Sequence, residues 1–266
     1  MKQQAIGVFD SGIGGLTILR ALRKTLPHEN LIYFGDTANV PYGSKSKSAV
    51  TRLATAVAHF LEEQQVKLIV VACNTASAQA LPTLRRQLKT PVMGVIEPGA
   101  QCAILATHNH KIAVLGTQGT VASGAYVKAI AKRAPKMQVF QQACPLFVPL
   151  AEEGFADKPA AKLIAQEYLA SVIKSKADTV ILGCTHYPVL KNLIADILGP
   201  QVTLVDSADT LAHFAKAFLQ AHHLNETAGK GSLKLYASDD PLKFTCSAQK
   251  LLGEKIAHAT LKKLNA

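Results

Sequence analysis

Four apolar segments from the first third of the chain have counterparts later on, in the same order and at a nearly constant spacing. The early segments are IGVFDSG, NLIYFGD, LIVVACNT and PVMGVIEP. Their counterparts, about 106 to 111 residues further along, are IAVLGTQG, MQVFQQAC, TVILGCTH and QVTLVDSA. A single matching pair would mean little, but four pairs in one order predict two halves with the same arrangement of strands.

Stretches with helical periodicity lie between these strand-like segments. The clearest runs from Ser46 to Gln65, where the apolar residues fall on one helix face. Strands that alternate with helices favour parallel sheets covered by helices. We therefore predict an α/β protein of two similar lobes, each a mostly parallel sheet flanked by helices. In such sheets ligands bind at the carboxyl ends of the strands, so the cleft between the lobes is the predicted active site.

The predicted lobes span residues 1–95 and 96–206, and residues 207–266 form a C-terminal segment. That segment contains a helical pattern (SADTLAHFAKAFLQAHH), a loop through Gly229 and Gly231, a short strand (LKLYAS) and a last helix. Its simplest role is to fold back and complete the first lobe.

The composition is that of a globular protein with a sizeable core. Of the 266 residues, 48% are hydrophobic and 18% are charged. No apolar run approaches the roughly 20 residues that span a bilayer, and the first residues do not resemble a secretion signal. The five cysteines are widely spaced, which favours a reducing compartment over a disulfide framework. We predict a cytoplasmic protein that does not contact a membrane.

The formal net charge of +11 raises the hypothesis of a nucleic-acid-binding or protein-binding module. However, the basic residues occur as pairs that are scattered along predicted helices: Arg23-Lys24, Arg85-Arg86, Lys132-Arg133 and Lys262-Lys263. Scattered pairs are typical of solvated helix faces, so the sequence argues against a nucleic-acid partner. The positive field could still attract an acidic small molecule.

Two cysteines stand at the carboxyl ends of partner segments: Cys73 in VKLIVVACNTASA and Cys184 in DTVILGCTHYP. A thiol between a parallel strand and a helix meets free backbone N–H groups and the positive end of the helix dipole, which favour the thiolate. Two thiols that face one cleft could move a proton across a substrate from opposite sides, as a racemase without a cofactor requires. A zinc site made of Cys73, Cys184 and His186 is an alternative, but its ligand spacing is weak.

The first loop, FDSGIGGLTIL, follows a strand and opens a helix. Its glycines, Gly12, Gly14 and Gly15, permit positive φ and a close approach of backbone to a ligand. The spacing matches neither G-x-G-x-x-G nor a P-loop, and Asp10 would repel a phosphate. Asp10 could instead meet a substrate ammonium group, accept a proton from a thiol, or merely cap the following turn.

Four motifs together carry a family resemblance: DSGIGGL at 10–16, VPYGSKS at 40–46, ACNTASA at 72–78 and GCTHYP at 183–188. They resemble the glutamate racemases of the aspartate/glutamate racemase family, and the resemblance extends over the whole chain. It implies two α/β domains that close over glutamate, chemistry without a cofactor, and D-glutamate made for peptidoglycan synthesis. It also suggests a homodimer, which the sequence by itself does not indicate.

The resemblance assigns roles to some residues of these motifs and to Glu152 in PLAEEG. Cys73 and Cys184 become the catalytic acid and base, Asp10 assists Cys73, and His186 and Glu152 assist Cys184. The substrate-binding positions are Asp10, Ser11, Tyr42, Gly43, Asn74, Thr75, Thr185 and His186.

Several alternatives stay open from the sequence. Aspartate and hydantoin racemases share the logic of two thiols and differ in pocket shape. A thiol redox protein would join Cys73 and Cys184 in a disulfide, whereas a basic interaction module would need neither thiol. Glu153 is a rival to Glu152. No lysine motif indicates a Schiff base, so proton abstraction would depend on electrostatics and geometry.

Overall fold

The computed structural model describes residues 4–265. Ten strands and twelve α-helices follow one another along this part of the chain. The strands are β1 (Ile6–Asp10), β2 (Leu31–Gly35), β3 (Leu68–Val71), β4 (Val92–Gly94), β5 (Lys111–Gly116), β6 (Gln138–Ala143), β7 (Thr179–Gly183), β8 (Thr203–Val205), β9 (Leu233–Ala237) and β10 (Thr260–Leu261).

Helices follow nearly every strand. They are α1 (Leu16–Thr25), α2 (Lys47–Glu63), α3 (Asn74–Gln79), α4 (Leu81–Gln87), α5 (Ile96–Ala106), α6 (Gln118–Ser123), α7 (Ala125–Arg133), α8 (Phe147–Glu152), α9 (Pro159–Ser175), α10 (Lys191–Leu198), α11 (Ala208–Ala221) and α12 (Pro241–Leu252). None of these helices combines the length and apolar character that crossing a membrane requires.

The predicted repeat is confirmed by the order of the strands. One sheet has the order β10-β9-β2-β1-β3-β4 and the other β6-β5-β7-β8, and every pair is parallel. The order β2-β1-β3-β4 in the first sheet therefore recurs as β6-β5-β7-β8 in the second. The register agrees as well, because Ile6 pairs with Leu31 as Ile112 pairs with Val139. The α/β fold with two similar sheets is as predicted.

Strands β9 and β10 extend the first sheet from the far end of the chain. β9 pairs along its whole length with β2, and α11 packs against α1 and α5. The side chains of these helices share one continuous apolar core with the centre of the first sheet. The predicted residue boundaries of the lobes stay a prediction, because sheet membership does not fix where a lobe ends.

Strand burial explains why the centre of each sheet has near-continuous apolar sequence. All residues of β1, β2, β3 and β7 are buried, as expected for strands that are covered by helices on both faces. The edge strand β6 is instead half-buried and carries three glutamines. The four motifs follow the carboxyl ends of β1, β2, β3 and β7.

Candidate active site

The two cysteines predicted as acid and base occupy equivalent places in the two sheets. Cys73 follows β3 and is the N-cap residue of α3, whereas Cys184 follows β7 in a turn that leads into a short 3-10 helix, Tyr187–Leu190. Both side chains are buried, with 5% and 6% of each residue exposed. Negative charge on Cys184 contributes to raising the pKa of Cys73, so the two thiols lie within electrostatic range of each other. All five cysteines of the chain are free thiols.

Both thiols are covered in this conformation. Cys184 lines a cavity of about 360 Å³ together with Asn74, Thr185 and Asp206. Cys73 does not line this cavity. In this conformation the cavity therefore reaches one of the two sulfur-bearing residues and not the other.

The environment of Cys73 favours its protonated form. Its Sγ lies 3.9 Å from Ser11 Oγ and accepts a hydrogen bond of 3.5 Å from the backbone N–H of Ala76. Burial, followed by the charge of Asp10, raises the pKa of the Cys73 thiol to about 12. The N–H group at the helix start acts in the expected direction and lowers the pKa of Cys73, but desolvation and the charge of Asp10 outweigh it.

Asp10 links the two lobes at the end of β1. Its Oδ2 accepts a hydrogen bond of 3.1 Å from the backbone N–H of Gly12, and Thr185 Oγ1 from the second lobe donates to Oδ1 at 3.4 Å. Burial raises the pKa of this carboxyl, although the charge of His186 and these hydrogen bonds act in the opposite direction. Asp10 thus contacts the Thr185 turn directly, and its charge acts on Cys73.

The glycines of the first loop allow other residues to approach the backbone closely, and they do not adopt unusual backbone angles. None of Gly12, Gly14 and Gly15 has positive φ, so of the two properties that glycine permits, the loop uses the close approach. A Cβ atom on Gly14 would lie 2.5 Å from Thr185 Oγ1 and 3.0 Å from His186 Nδ1. The absence of a side chain at position 14 therefore lets the first lobe touch the turn that carries Cys184.

His186 bridges Cys184 and an acidic residue. Its Nδ1 lies 3.8 Å from Cys184 Sγ, and its Nε2 forms an ion pair of 3.0 Å with Glu152 Oε1. Of the two neighbouring carboxylates, Glu152 rather than Glu153 makes this contact. Burial lowers the pKa of His186, but the hydrogen bonds with Cys184 and Glu152, together with the charges of Cys184 and Asp10, raise it to about 10. The imidazole is therefore positively charged at neutral pH.

Replacing His186 with glutamine is expected to reduce the pH dependence of stability between about pH 6.5 and 10. The native state keeps a proton that the unfolded chain releases above the ordinary pKa of 6.5, so this stabilisation is complete below pH 6.5 and is lost through pH 10. The wild-type free energy of unfolding should fall by up to about 1.4 kcal/mol per pH unit relative to His186→Gln in that interval. Urea unfolding from pH 6 to 10.5 measures the difference.

The exposed His213 on α11 offers the control for this measurement. His213→Gln should keep the wild-type pH dependence. Parallel wild-type and His186→Gln curves would contradict the assigned charge on His186.

Tyr42 and Gly43 lie in a short 3-10 helix, Tyr42–Ser44, which contacts the second lobe at Thr117. The buried Tyr42 hydroxyl donates a hydrogen bond of 2.6 Å to Asp36 Oδ2, and Asp36 also accepts from Ser238 at 2.7 Å. Burial, followed by the charge of Asp36, raises the pKa of Tyr42. A Cβ on Gly43 would lie 2.6 Å from Thr117 Cγ2, so the backbone here packs tightly on the second lobe. Since the Tyr42 hydroxyl already donates to Asp36, a substrate contact of Tyr42 would be made by its backbone.

Asn74 and Thr75, at the start of α3, also make contacts across the lobes. Asn74 Oδ1 accepts a hydrogen bond of 2.7 Å from the hydroxyl of Tyr126. Thr75 Oγ1 lies 2.9 Å from Thr117 Oγ1 and 3.4 Å from Thr120 Oγ1. The three threonine hydroxyls form a buried cluster of groups that can donate to a carboxylate.

The structure brings together predicted site residues from both lobes and adds four that the motifs did not indicate: Asp36, Thr117, Thr120 and Tyr126. One of them had a signal in the sequence. Thr117 follows β5 as Ser11 follows β1, so the internal repeat assigns it an equivalent position. The other three carry no such signal: the contacts of Thr120 and Tyr126 depend on how the lobes meet, and Asp36 contacts Ser238 from the far end of the chain.

Among residues 4–265, no group of three or more His, Cys, Asp or Glu side chains is arranged to hold a metal ion. The Cys73, Cys184 and His186 set that the sequence allowed as zinc ligands is not such a group.

Comparison with known proteins identifies the relatives of this arrangement. A sequence profile of the Asp/Glu/hydantoin racemase family matches residues 16–215. The chain belongs to this family. The racemase is 48% identical over 257 residues to a glutamate racemase from Geobacter metallireducens, covering 96% of this chain and 95% of the relative. It is therefore an amino-acid racemase, an isomerase, as the motifs indicated.

Two crystal structures of glutamate racemases are similar to the racemase over nearly its whole length. The Bacillus anthracis isoform is 34% identical with a TM-score of 0.93, covering all of this chain and 98% of its own. The Francisella tularensis enzyme, whose structure is a complex with D-glutamate, is 37% identical with a TM-score of 0.92, covering 99% and 98%. The fold of the racemase is thus that of experimentally determined glutamate racemases.

Proposed function

We propose that this racemase interconverts L-glutamate and D-glutamate by proton transfer at the α-carbon between Cys73 and Cys184, without a cofactor. The observation that carries the proposal is the placement of one thiol after β3 and one after β7, the equivalent central strands of the two sheets. Two acid–base groups that approach from different lobes can act on opposite faces of one carbon. The names of the relatives support glutamate as the substrate.

We assign the two thiols different roles at the start of the reaction. Cys73 is the acid because burial and Asp10 keep its proton in place. Cys184 is the base in this direction because its Sγ is the one that lies 3.8 Å from Nδ1 of the charged His186 imidazole. Glu152 holds His186 in that charged form through its ion pair.

In one direction, the Cys184 thiolate removes the α-proton and becomes a thiol. The Cys73 thiol then gives its proton to the opposite face of the carbanion and becomes a thiolate. For the other enantiomer the roles reverse, so each turnover moves one proton onto one sulfur and one proton off the other. General acid–base catalysis of this kind contributes about a hundredfold to ten-thousandfold for each group.

The substrate carboxylates need hydrogen-bond donors on both sides of the cleft. Ser11, Asn74, Thr75 and Thr185 are the predicted donors, and the hydroxyls of Thr117 and Thr120 extend the same cluster. Fixed donors that are shielded from water stabilise the charge that develops on the α-carboxylate as the proton leaves. Closure of the lobes would provide that shielding.

Exchange of the α-proton in deuterated water tests both substrate and reaction. Purified protein is incubated separately with L-glutamate, L-aspartate and a hydantoin, and the α-proton signal is followed by NMR. We expect exchange with glutamate alone, because the relatives are named glutamate racemases. Exchange only with aspartate or the hydantoin would reassign the substrate, and no exchange with any of them would contradict racemisation.

The same proposal gives this racemase its cellular place. We propose that it works in the cytoplasm and supplies D-glutamate to peptidoglycan synthesis. A nucleic-acid role has less support, because several residues of the basic pairs have acidic partners: Arg23 with Glu254, and Arg85 and Arg133 with Glu97.

A further inference from the structure

A buried tyrosine of the second lobe reaches a predicted substrate-binding residue of the first. Tyr126 in α7 is completely buried, and its hydroxyl donates a hydrogen bond of 2.7 Å to Oδ1 of Asn74 at the start of α3. The bond joins two lobes through side chains alone. We propose that Tyr126 is a positioning residue, which fixes the Asn74 amide so that its NH2 group faces the carboxylate of the substrate.

The orientation of an asparagine amide matters at a carboxylate site. One end of the amide, Oδ1, only accepts hydrogen bonds, and the other, Nδ2, only donates them. Asn74 lines the same cavity as Cys184 and Thr185. With Oδ1 held by Tyr126, Nδ2 is the part left to donate into that cavity. The reverse orientation would present an oxygen atom to a carboxylate and repel it.

Two glycines leave the space that Tyr126 occupies. A Cβ on Gly99 in α5 would lie 3.2 Å from the Tyr126 hydroxyl, and one on Gly183 at the end of β7 would lie 3.2 Å from its Cε2 atom. Both distances are tighter than ordinary packing, so the ring is closely confined between these backbones. A confined ring keeps its hydroxyl in one place, which is what a positioning role requires.

The hydroxyl of Tyr126 also keeps its proton, so it remains a hydrogen-bond donor. Burial, followed by the negative charge of Cys184, raises its pKa. The proton therefore stays on the oxygen throughout the pH range of an activity assay. An oxygen that ionised would instead repel Oδ1 of Asn74 and release the amide.

The test is a double-mutant cycle of Tyr126→Phe and Asn74→Ala, with kcat and KM measured for both glutamate enantiomers. Tyr126→Phe should raise KM about tenfold and keep kcat within threefold, because the substrate carboxylate is already charged in the ground state and Asn74 is one of several donors to it. In the Asn74→Ala background, Tyr126→Phe should change KM by less than twofold, because its effect acts through Asn74.

Tyr187→Phe is the matched control. Tyr187 is equally buried, and its hydroxyl donates a hydrogen bond of 2.8 Å to the backbone carbonyl of Cys144. It should lower the melting temperature about as much as Tyr126→Phe does, with KM within twofold of wild type. An equal rise in KM in this control would mean that general loosening explains the effect, and the proposal would fail.

Three further outcomes would overturn the positioning role of Tyr126. A KM within twofold of wild type in Tyr126→Phe, or a tenfold rise that persists in the Asn74→Ala background, overturns the positioning role. Loss of folding in Tyr126→Phe, seen by circular dichroism, makes the residue structural and overturns it as well.

The inference rests on glutamate being the substrate, so calorimetric binding of D-glutamate is measured in parallel. Wild-type protein that binds D-glutamate but does not racemise it contradicts the proposed function alone, and the Kd of Tyr126→Phe then tests the positioning role, with a tenfold rise expected. If wild-type protein racemises glutamate and the KM of Tyr126→Phe stays within twofold of wild type, the positioning role alone is contradicted. Wild-type protein that neither binds nor racemises glutamate overturns both.

Discussion

Serine in place of Cys73 or Cys184 is expected to lower kcat for glutamate racemisation at least about a thousandfold in both directions. A hydroxyl has nearly the size of a thiol, but it does not ionise in the range where a thiol can exchange protons with a carbon acid. Each variant removes one of the two groups that face the α-carbon, so the proton cannot be replaced on the opposite side. Circular dichroism of the glutamate enantiomers follows the reaction directly.

Cys102→Ser is the control for these variants, because Cys102 lies in α5 and belongs to none of the four motifs. It should keep kcat within twofold of wild type. Either active-site serine variant that retains a tenth of the wild-type rate, with its fold intact, would rule out the two-thiol mechanism.

Alanine in place of Gly14 should reduce kcat/KM for glutamate at least about a hundredfold, which is the cost of misplacing reacting groups by about 1 Å. Its Cβ would lie 2.5 Å from Thr185 Oγ1 and 2.9 Å from Thr185 Cβ, so the turn that carries Cys184 must move away. The free energy of unfolding should change by less than about 1 kcal/mol, because the clash disappears when the lobes separate. Steady-state kinetics and urea unfolding measure the two quantities.

Gly12→Ala in the same loop is the matched control. Its Cβ would meet only Val40 Cγ2, at 3.3 Å, which lies within the first lobe. We expect kcat/KM within threefold of wild type. A Gly14→Ala enzyme of normal activity would mean that catalysis does not need the close contact between the first loop and Thr185.

The fold could be predicted further from this sequence than is usual, because the chain repeats itself. The repeat pairs β1 with β5, and it carries over to β2 with β6, β3 with β7 and β4 with β8, so one half predicts the strand order of the other. The same repeat gives Thr117 an equivalent in Ser11. The apolar runs that end in Cys73 and Cys184 indicated strand ends because buried parallel strands are apolar on both faces.

What the sequence could not supply depends on contacts between distant segments. The pKa of Cys73 follows from burial and from Asp10, and a helix-start motif gives no measure of either. The contact of Tyr126 with Asn74 spans 52 positions. Asp36 and Ser238 are 202 positions apart, and their hydrogen bond fixes the oxygen network that holds Tyr42. No local pattern of residue types records such pairs.

The pairing of β9 with β2 has a consequence for synthesis of the protein. The amino-terminal sheet lacks two of its six strands until residues 233–261 have been made, although its first four strands are complete by residue 94. While the other sheet is translated, the part of the first sheet that has already been made therefore has an unpaired strand edge along β2. Chaperones that bind exposed edges would meet this chain during that interval, and a stop codon before codon 233 would leave the edge permanently open.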